Sequence, residues 1–267
     1  MTFEPLASVA VFLFGLVVGS FLNVCIYRLP RGGSVVRPRS RCPACGAWIP
    51  GHRNVPVLSW ILLGGRCADC RTRISVRYPL VELLAALTAL ALWRSFGPGA
   101  AFAIATMFAW SMIVLFFTDY DLQLLPDAVT LTGFALGLGC AWFNPFLGTP
   151  GWRRIWLAAA GAAIGSGLLW GFGAAYGLLR GVEAMGLGDV KMMAMVGSFV
   201  GPFGVLLTIF AGSISGAVVG LAMIPLRGRT LGDTLPFGCF LAPASLLALL
   251  STDRIWSWYW GSLVPPP

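Results

Sequence analysis

Two aspartates occupy positions where a carboxylate is costly. Asp119 closes an apolar run spanning about 100–118, and Asp189 opens another at 190–201. Ionisable groups at such places are functional candidates by default. The first belongs to Asp119-Tyr120-Asp121 with Leu125-Pro126-Asp127 close behind; the second to Gly186-Leu187-Gly188-Asp189-Val190-Lys191. Two carboxylates a hydrogen bond apart cannot both ionise cheaply, so such a pair keeps one proton. One member can then take a proton from water while the other gives one to a scissile carbonyl. The glycines before Asp189 suit close approach of a peptide backbone. Asp121 and Asp127 read as loop charges or helix caps, and Asp233 and Asp253 sit in short polar loops. The single histidine, His52, lies in a polar loop, and the apolar segments offer no Ser–His or Cys–His pairing. Hydrolysis by this chain would therefore rest on paired carboxylates. Helix ends suggest an order: Asp119 would meet the negative end of one helix and Asp189 the unpaired N–H groups of another, placing the shared proton on Asp119.

A second constellation is Cys42-Pro-Ala-Cys45 and Cys67-Ala-Asp-Cys70, with 21 residues between the two knuckles. Four thiolates at this spacing suit tetrahedral zinc, and Gly46 permits the tight turn after the first knuckle. Four thiolates leave no open coordination position, so the expected site is structural. Two disulfides are the competing reading, disfavoured if the loop faces a reducing compartment. Cys25, Cys140 and Cys239 stand singly in apolar segments and read as small core residues.

These groups need elements to hold them, and composition says which. Of 267 residues 58% are hydrophobic and 10% charged. A soluble domain carries roughly a quarter charged residues, so lipid must cover most of this surface. Eight apolar segments are legible at roughly 6–29, 79–95, 100–118, 128–146, 155–180, 190–201, 203–226 and 235–251. The expected fold is an all-α polytopic membrane protein of about eight transmembrane helices with a small cytoplasmic zinc-binding loop domain. Its expected divisions are a first transmembrane helix over 1–29, a four-cysteine zinc-binding domain over 30–78 and a transmembrane core over 79–267. Glycine pairs four apart (Gly161/Gly165, Gly167/Gly171 and the run Gly212, Gly216, Gly220) mark faces where helix backbones approach. Glu4 and the lack of basic residues before the first apolar run argue against a removable signal. With the N-terminus outside, fourteen Lys and Arg fall on the inner side and four on the outer. That asymmetry sets the orientation, places both aspartates at the cytoplasmic face, and accounts for the +8 net charge without invoking nucleic acid.

The ordered motifs resemble a known family. Gly186-Leu187-Gly188-Asp189 with an upstream aspartate at a helix end resembles the GxGD-type intramembrane aspartic proteases. The wider set resembles the bacterial type IV prepilin peptidase/N-methyltransferases. That set is Gly19-Ser20-Phe21-Leu22-Asn23-Val24-Cys25-Ile26-Tyr27-Arg28-Leu29-Pro30, the two knuckles, Asn54-Val55-Pro56-Val57-Leu58-Ser59-Trp60, Arg77-Tyr78-Pro79-Leu80-Val81-Glu82-Leu83-Leu84, and the two aspartate motifs. The resemblance extends over about 19–200. It implies a bacterial inner-membrane enzyme that cuts the leader from prepilins and pseudopilins of type IV pilus and type II secretion systems, just after a glycine. The catalytic residues would be Asp119 and Asp189, and Cys42, Cys45, Cys67 and Cys70 would hold zinc. Members with the cysteine loop also methylate the new N-terminal amine, with S-adenosylmethionine as donor; no glycine-rich dinucleotide-type loop marks where that donor binds. Asn23 and Glu82 belong to family motifs and could equally be interhelical hydrogen bonders.

Two other functions remain to be weighed. An intramembrane aspartic protease of other substrates would not need the cysteine loop. A non-catalytic assembly protein would tolerate Asn at both 119 and 189.

Overall fold

The structure is a computed structural model and describes residues 3–148, 150–181, 186–227 and 235–263. The described chain is helical: α1 Phe3–Arg28, α2 Leu58–Leu62, α3 Arg77–Phe96, α4 Ala100–Leu122, α5 Asp127–Cys140, α6 Arg153–Arg180, α7 Leu187–Arg227 and α8 Gly238–Leu263. Asp233, read above as a short-loop charge, lies outside the described residues. Asp253, read the same way, falls instead within α8, which continues past the end of its apolar run. Two isolated β-bridges, Arg41 with Trp48 and Arg66 with Arg73, are the only extended pairings among the described residues. Five helices are long and apolar enough to cross a membrane: those at 4–31, 77–96, 100–122, 153–180 and 187–225. Two apolar helices, at 127–143 and 238–252, are shorter. The eight segments expected from sequence thus map onto fewer helices. The pairs 190–201 and 203–226 form the single stretch α7, broken only at Gly201.

The chain divides into two compact units, 1–114 and 115–267. In the first, α1 packs on α3 through small residues. A Cβ on Gly15 would come within 2.6 Å of Ala86 Cα, and one on Gly19 within 2.6 Å of Glu82 Cα. Their four-residue spacing puts both on one face, so the two backbones can nearly touch. One turn on, buried Asn23 donates from Nδ2 to the Tyr78 carbonyl at 3.0 Å and the Gly19 carbonyl at 3.3 Å. Asn23 is therefore an interhelical hydrogen bonder. Glu82 also bonds across the helix pair, to the Ser20 side chain of α1, and its Oε2 accepts from the Val57 backbone N–H at 2.7 Å. Val57 has φ 60° and ψ −50°, and Leu58 N lies 2.5 Å from the Pro56 carbonyl. This is a γ-turn at a β-branched residue, a conformation that persists only when its surroundings hold it. The buried carboxylate is that hold.

In the second unit α7 is the central element, flanked by α5, α6 and α8. Gly161 and Gly165 of α6 face α7 so closely that Gly161 meets the Gly197 backbone, and a Cβ on Gly165 would lie 2.7 Å from the Met193 carbonyl. Gly167 and Gly171, grouped with them by spacing, instead face open space. Gly212 and Gly216 pack toward Leu241 and Phe240 of α8.

Gly201 (φ 71°, ψ −175°) breaks α7, and Pro202 has no N–H to restore the ladder. A carbonyl freed inside an apolar bundle must find another donor. Asn144, wholly buried, supplies it: Nδ2 donates to the Phe199 carbonyl at 2.8 Å, while Oδ1 accepts from Phe146 N at 2.9 Å. Asn144→Leu removes that donor and is expected to lower the unfolding free energy by about 1–3 kcal/mol. Denaturant unfolding of the purified protein in detergent measures this. Unchanged stability would show that the break does not depend on Asn144.

Candidate active site

Both candidate aspartates lie in the second unit. α4 runs three residues beyond Asp119 and stops where Gln123 turns into left-handed backbone at φ 51°. The chain then folds back through buried Leu125 and Pro126, and Pro126 starts α5. Asp119 is only 5% exposed, and its Oδ2 accepts from the Cys239 backbone N–H at 2.9 Å. Cys239 is the second residue of α8, so Asp119 satisfies one of that helix's unpaired N-terminal donors. A Cβ at Gly238 would lie 2.9 Å from the same carboxylate oxygen; only glycine lets α8 begin so close.

Asp189 sits in the first turn of α7, half-buried, with its backbone N–H donating to the Gly186 carbonyl at 3.2 Å. The two carboxylates are near enough for the charge of Asp119 to act on Asp189. Leu125 fills the space beside them, 3.2 Å from where a Cβ would stand on either Gly188 or Gly238. Thus the glycine before Asp189 and the glycine against Asp119 press on one leucine. Lys191, two residues beyond Asp189, does not aim at the pair: its Nζ sits 2.8 Å from both carboxylate oxygens of Asp127. Asp127 is thereby an ion-pair partner joining the start of α5 to the start of α7. The exposure of this bridge limits its energy to roughly 0–1 kcal/mol, so its value is in register.

The helix-end order expected for the proton needs correction. Asp119 does stand near the C-terminal end of α4, but its carboxylate is hydrogen-bonded at the N-terminal end of α8. Both aspartates are therefore at helix N-termini, and the expected polarity difference between them loses its basis. Sequence reading passed over Gly238 and took Cys239 only for a small core residue, which buried Cys239 is, without its backbone role toward Asp119. The signal was there in Pro236-Phe237-Gly238, a turn at the head of an apolar run. What the arrangement can do is acid–base chemistry: one carboxylate is anchored at Cys239 N–H, and a second lies close enough to feel its charge.

In the first unit the four cysteines of the knuckles converge, with all four sulfurs within 4.8 Å of one another. Cys42 and Cys70 Sγ are 3.8 Å apart. A tetrahedron with metal–sulfur bonds of about 2.3 Å has edges of about 3.8 Å. The donor set therefore fits a tetrahedral thiolate metal such as zinc. The knuckles are built alike. Cys42 N donates to Ala47 O and Gly46 N to Cys42 O, both at 2.9 Å; Cys67 N donates to Thr72 O at 2.9 Å and Arg71 N to Cys67 O at 3.1 Å. Thr72, through its hydroxyl and its backbone, pulls the Cys70 thiol down to about 6, while the neighbouring cysteines hold the Cys45 thiol up at about 12, so the four sulfurs do not ionise alike without a cation.

The one difference is at the left-handed position, taken by Gly46 (φ 72°) in one knuckle and Arg71 (φ 60°) in the other. A side chain there costs about 1–2 kcal/mol. Gly46→Val should therefore lower, and Arg71→Gly raise, the chelator concentration at which the four thiols become reactive to a thiol reagent. Identical release in both variants would show that knuckle strain does not govern metal retention.

Comparison with known proteins covers both units. The description "Bacterial Peptidase A24 N-terminal domain" matches residues 13–96, and "Type IV leader peptidase family" matches residues 106–221. The prepilin leader peptidase/N-methyltransferase of Aeromonas salmonicida (strain A449) is 37% identical over 279 residues, covering 95% of this chain and 94% of its own. That of Aeromonas hydrophila is 38% identical over 273 residues, covering 93% and 92%. The Pseudomonas aeruginosa protein of the same name is 36% identical over 276 residues, covering 94% and 93%. No solved structure matches. With identity at this level running through both units, the chain belongs to the type IV leader peptidase family.

Proposed function

We propose that this chain is a membrane-embedded aspartic endopeptidase that removes the leader from type IV prepilins and pseudopilins and then N-methylates the new N-terminal residue. The observation that carries the reading is the convergence of Asp119 and Asp189 in one unit, with Asp119 fixed by Cys239 N–H. Asp119 and Asp189 are the catalytic pair. Sharing one proton, they act in turn: the ionised member takes a proton from water, and the protonated member donates to the scissile carbonyl oxygen. The tetrahedral intermediate collapses as a proton passes to the departing amine. Because the pair titrates as a unit, the two roles belong to the dyad, not to fixed residues. Leu125 and the glycines at 186, 188 and 238 shape the approach of the peptide.

Cys42, Cys45, Cys67 and Cys70 are the zinc ligands of the 30–78 domain, a structural site, while 79–267 carries the peptidase core. S-adenosylmethionine supplies the methyl group when bound, and the substrate's new N-terminal amine is the acceptor. The protein lies in the bacterial inner membrane with its N-terminus outside and the aspartates at the cytoplasmic face. The break at Gly201 lets 190–201 and 203–226 act as separate segments, giving about eight spans.

Asp119→Asn and Asp189→Asn should each reduce leader cleavage by at least about a thousandfold, with the protein still inserted and monodisperse. Asp121→Asn and Asp127→Asn should keep most activity. Cleavage of a purified prepilin in proteoliposomes measures all four. An inactive Asp121→Asn beside an active Asp119→Asn would move the dyad. Normal pilus assembly by the Asp119→Asn/Asp189→Asn chain would make it a scaffold.

Metal analysis should find about one zinc per chain, lost in a quadruple Cys→Ser variant. Since binding free energy there is folding free energy, the loop should loosen with it. Methylation is expected to fall more than cleavage, the dyad lying elsewhere in the sequence. A metal-free chain of unchanged stability with four free thiols would sink the zinc assignment.

A further inference from the structure

The loop between α1 and α3 has a surface that neither metal ligation nor peptide cleavage uses. Between Pro30 and Tyr78 it carries nine arginines and one acid, Asp69, which alone accounts for the chain's whole formal excess of +8. Eight of the nine arginines are exposed; Arg77 is half-buried. Among the described ion pairs only Arg53 meets Asp69, at a loose 3.8 Å. Within this basic shell, α2 turns three large apolar side chains outward: Leu58 is 52% exposed, Ile61 61% and Leu62 75%. Their i, i+3, i+4 spacing makes them one face. The other face is fastened down. Trp60 donates from Nε1 to the Ile74 carbonyl at 3.2 Å, and its ring packs so tightly under Gly65 that a Cβ there would come within 2.8 Å. The outward face is therefore held outward by the loop's own structure.

The depth of α2 follows from the Glu82 bond. Val57, the residue just before α2, is held at 2.7 Å by a carboxylate five residues into α3, a helix apolar enough to span a membrane. Five residues of helix advance about 7.5 Å. The Asn23 bond to Tyr78 pairs the end of α1 with the start of α3, so both spanning helices meet the loop at one membrane face. Interfacial helices bury their apolar side about 5–10 Å into the headgroup and acyl boundary. Val57 is pinned within that depth, and the face that follows it is apolar.

We propose that α2 is an interfacial anchor: Leu58, Ile61 and Leu62 enter the acyl boundary of the bilayer while the surrounding arginines take anionic phospholipid headgroups. The arginine excess decides the occupant, because an apolar protein groove would satisfy the three side chains and leave the cations unmatched. Exposed Trp48, with Arg41 stacked 4.3 Å from its ring centre, adds an aromatic–cation pair suited to the same interface. The loop is then a plate lying on the membrane, tethered at both ends and at α2. This holds whether or not the aspartates cut.

The test is hydrogen exchange of the full-length, metal-loaded protein in nanodiscs of zwitterionic lipid or of lipid containing phosphatidylglycerol. Peptides covering 57–64 should exchange about tenfold more slowly in the anionic discs, with the difference shrinking in high salt. Leu58→Ser/Ile61→Ser/Leu62→Ser should abolish that protection while peptides over both cysteine knuckles exchange as before, showing that the loop remains folded. Exchange over 57–64 that ignores lipid charge and the triple substitution would overturn the proposal. So would protection that appears only on adding a prepilin helix, which would assign the face to a protein.

Discussion

A buried carboxylate in an apolar bundle needs a donor, and the Asp119–Cys239 hydrogen bond meets that need. The bond also gives α8 a partner for an N-terminal N–H that lipid could not supply. One contact thus solves two problems, and it constrains the rest of the second unit. α8 can start against α4 only because residue 238 lacks a side chain. Leu125 can fill the space beyond only because Gly188 also lacks one. The position of Asp189 follows from those packings, since the first turn of α7 begins where Leu125 ends.

Helices in lipid gain little from burying apolar surface, so close packing and polar bonds must hold them together. The structure uses both at the same places. Gly161 and Gly197 bring α6 and α7 to backbone contact, and the α7 break just beyond is sealed by Asn144. Gly15 and Gly19 bring α1 onto α3, and Asn23 closes that contact one turn later. In each case small residues let the backbones approach and an asparagine then takes a carbonyl. The exposed faces of these helices remain apolar, as at Val9, Leu13 and Val17 on α1 or Trp170 and Phe172 on α6. Such a surface is stable only against lipid.

The cysteine loop follows a different logic. A segment of this length, 30–78, is too short to build a dependable core by itself, and its four cysteine sulfurs are gathered at a spacing that suits one tetrahedral metal. The gathered sulfurs bring the two knuckles together, Trp60 fixes α2 to the second knuckle, and Glu82 fixes the turn before α2 to a helix apolar enough to span a membrane. Glu82 is therefore both an interhelical hydrogen bonder, through Ser20 of α1, and the hold on the turn before α2. It connects the cysteine loop to a helix apolar enough to span a membrane, and holds Val57 in a backbone state that valine does not choose alone.

Much of this protein is legible in one dimension. Long apolar runs require helices in lipid, because composition alone leaves no charged skin. The all-helical class, the four-cysteine cluster and the two aspartate motifs follow from residue type and local spacing. What spacing could not show was which faces meet. Gly161/Gly165 and Gly167/Gly171 carry the same four-residue signature, yet the first pair packs and the second faces open space. Asp127 reads as a loop charge or helix cap and does open α5, but its ion pair with Lys191, 64 residues on, is visible only in three dimensions. Asn144 and Phe199 are 55 residues apart, and Asp119 and Cys239 are 120 apart. The sequence by itself determined which groups had to be satisfied in lipid, because that cost depends on chemistry alone. Which partner satisfies each was decided only by the tertiary structure, because a donor 120 residues away leaves no local periodicity to read.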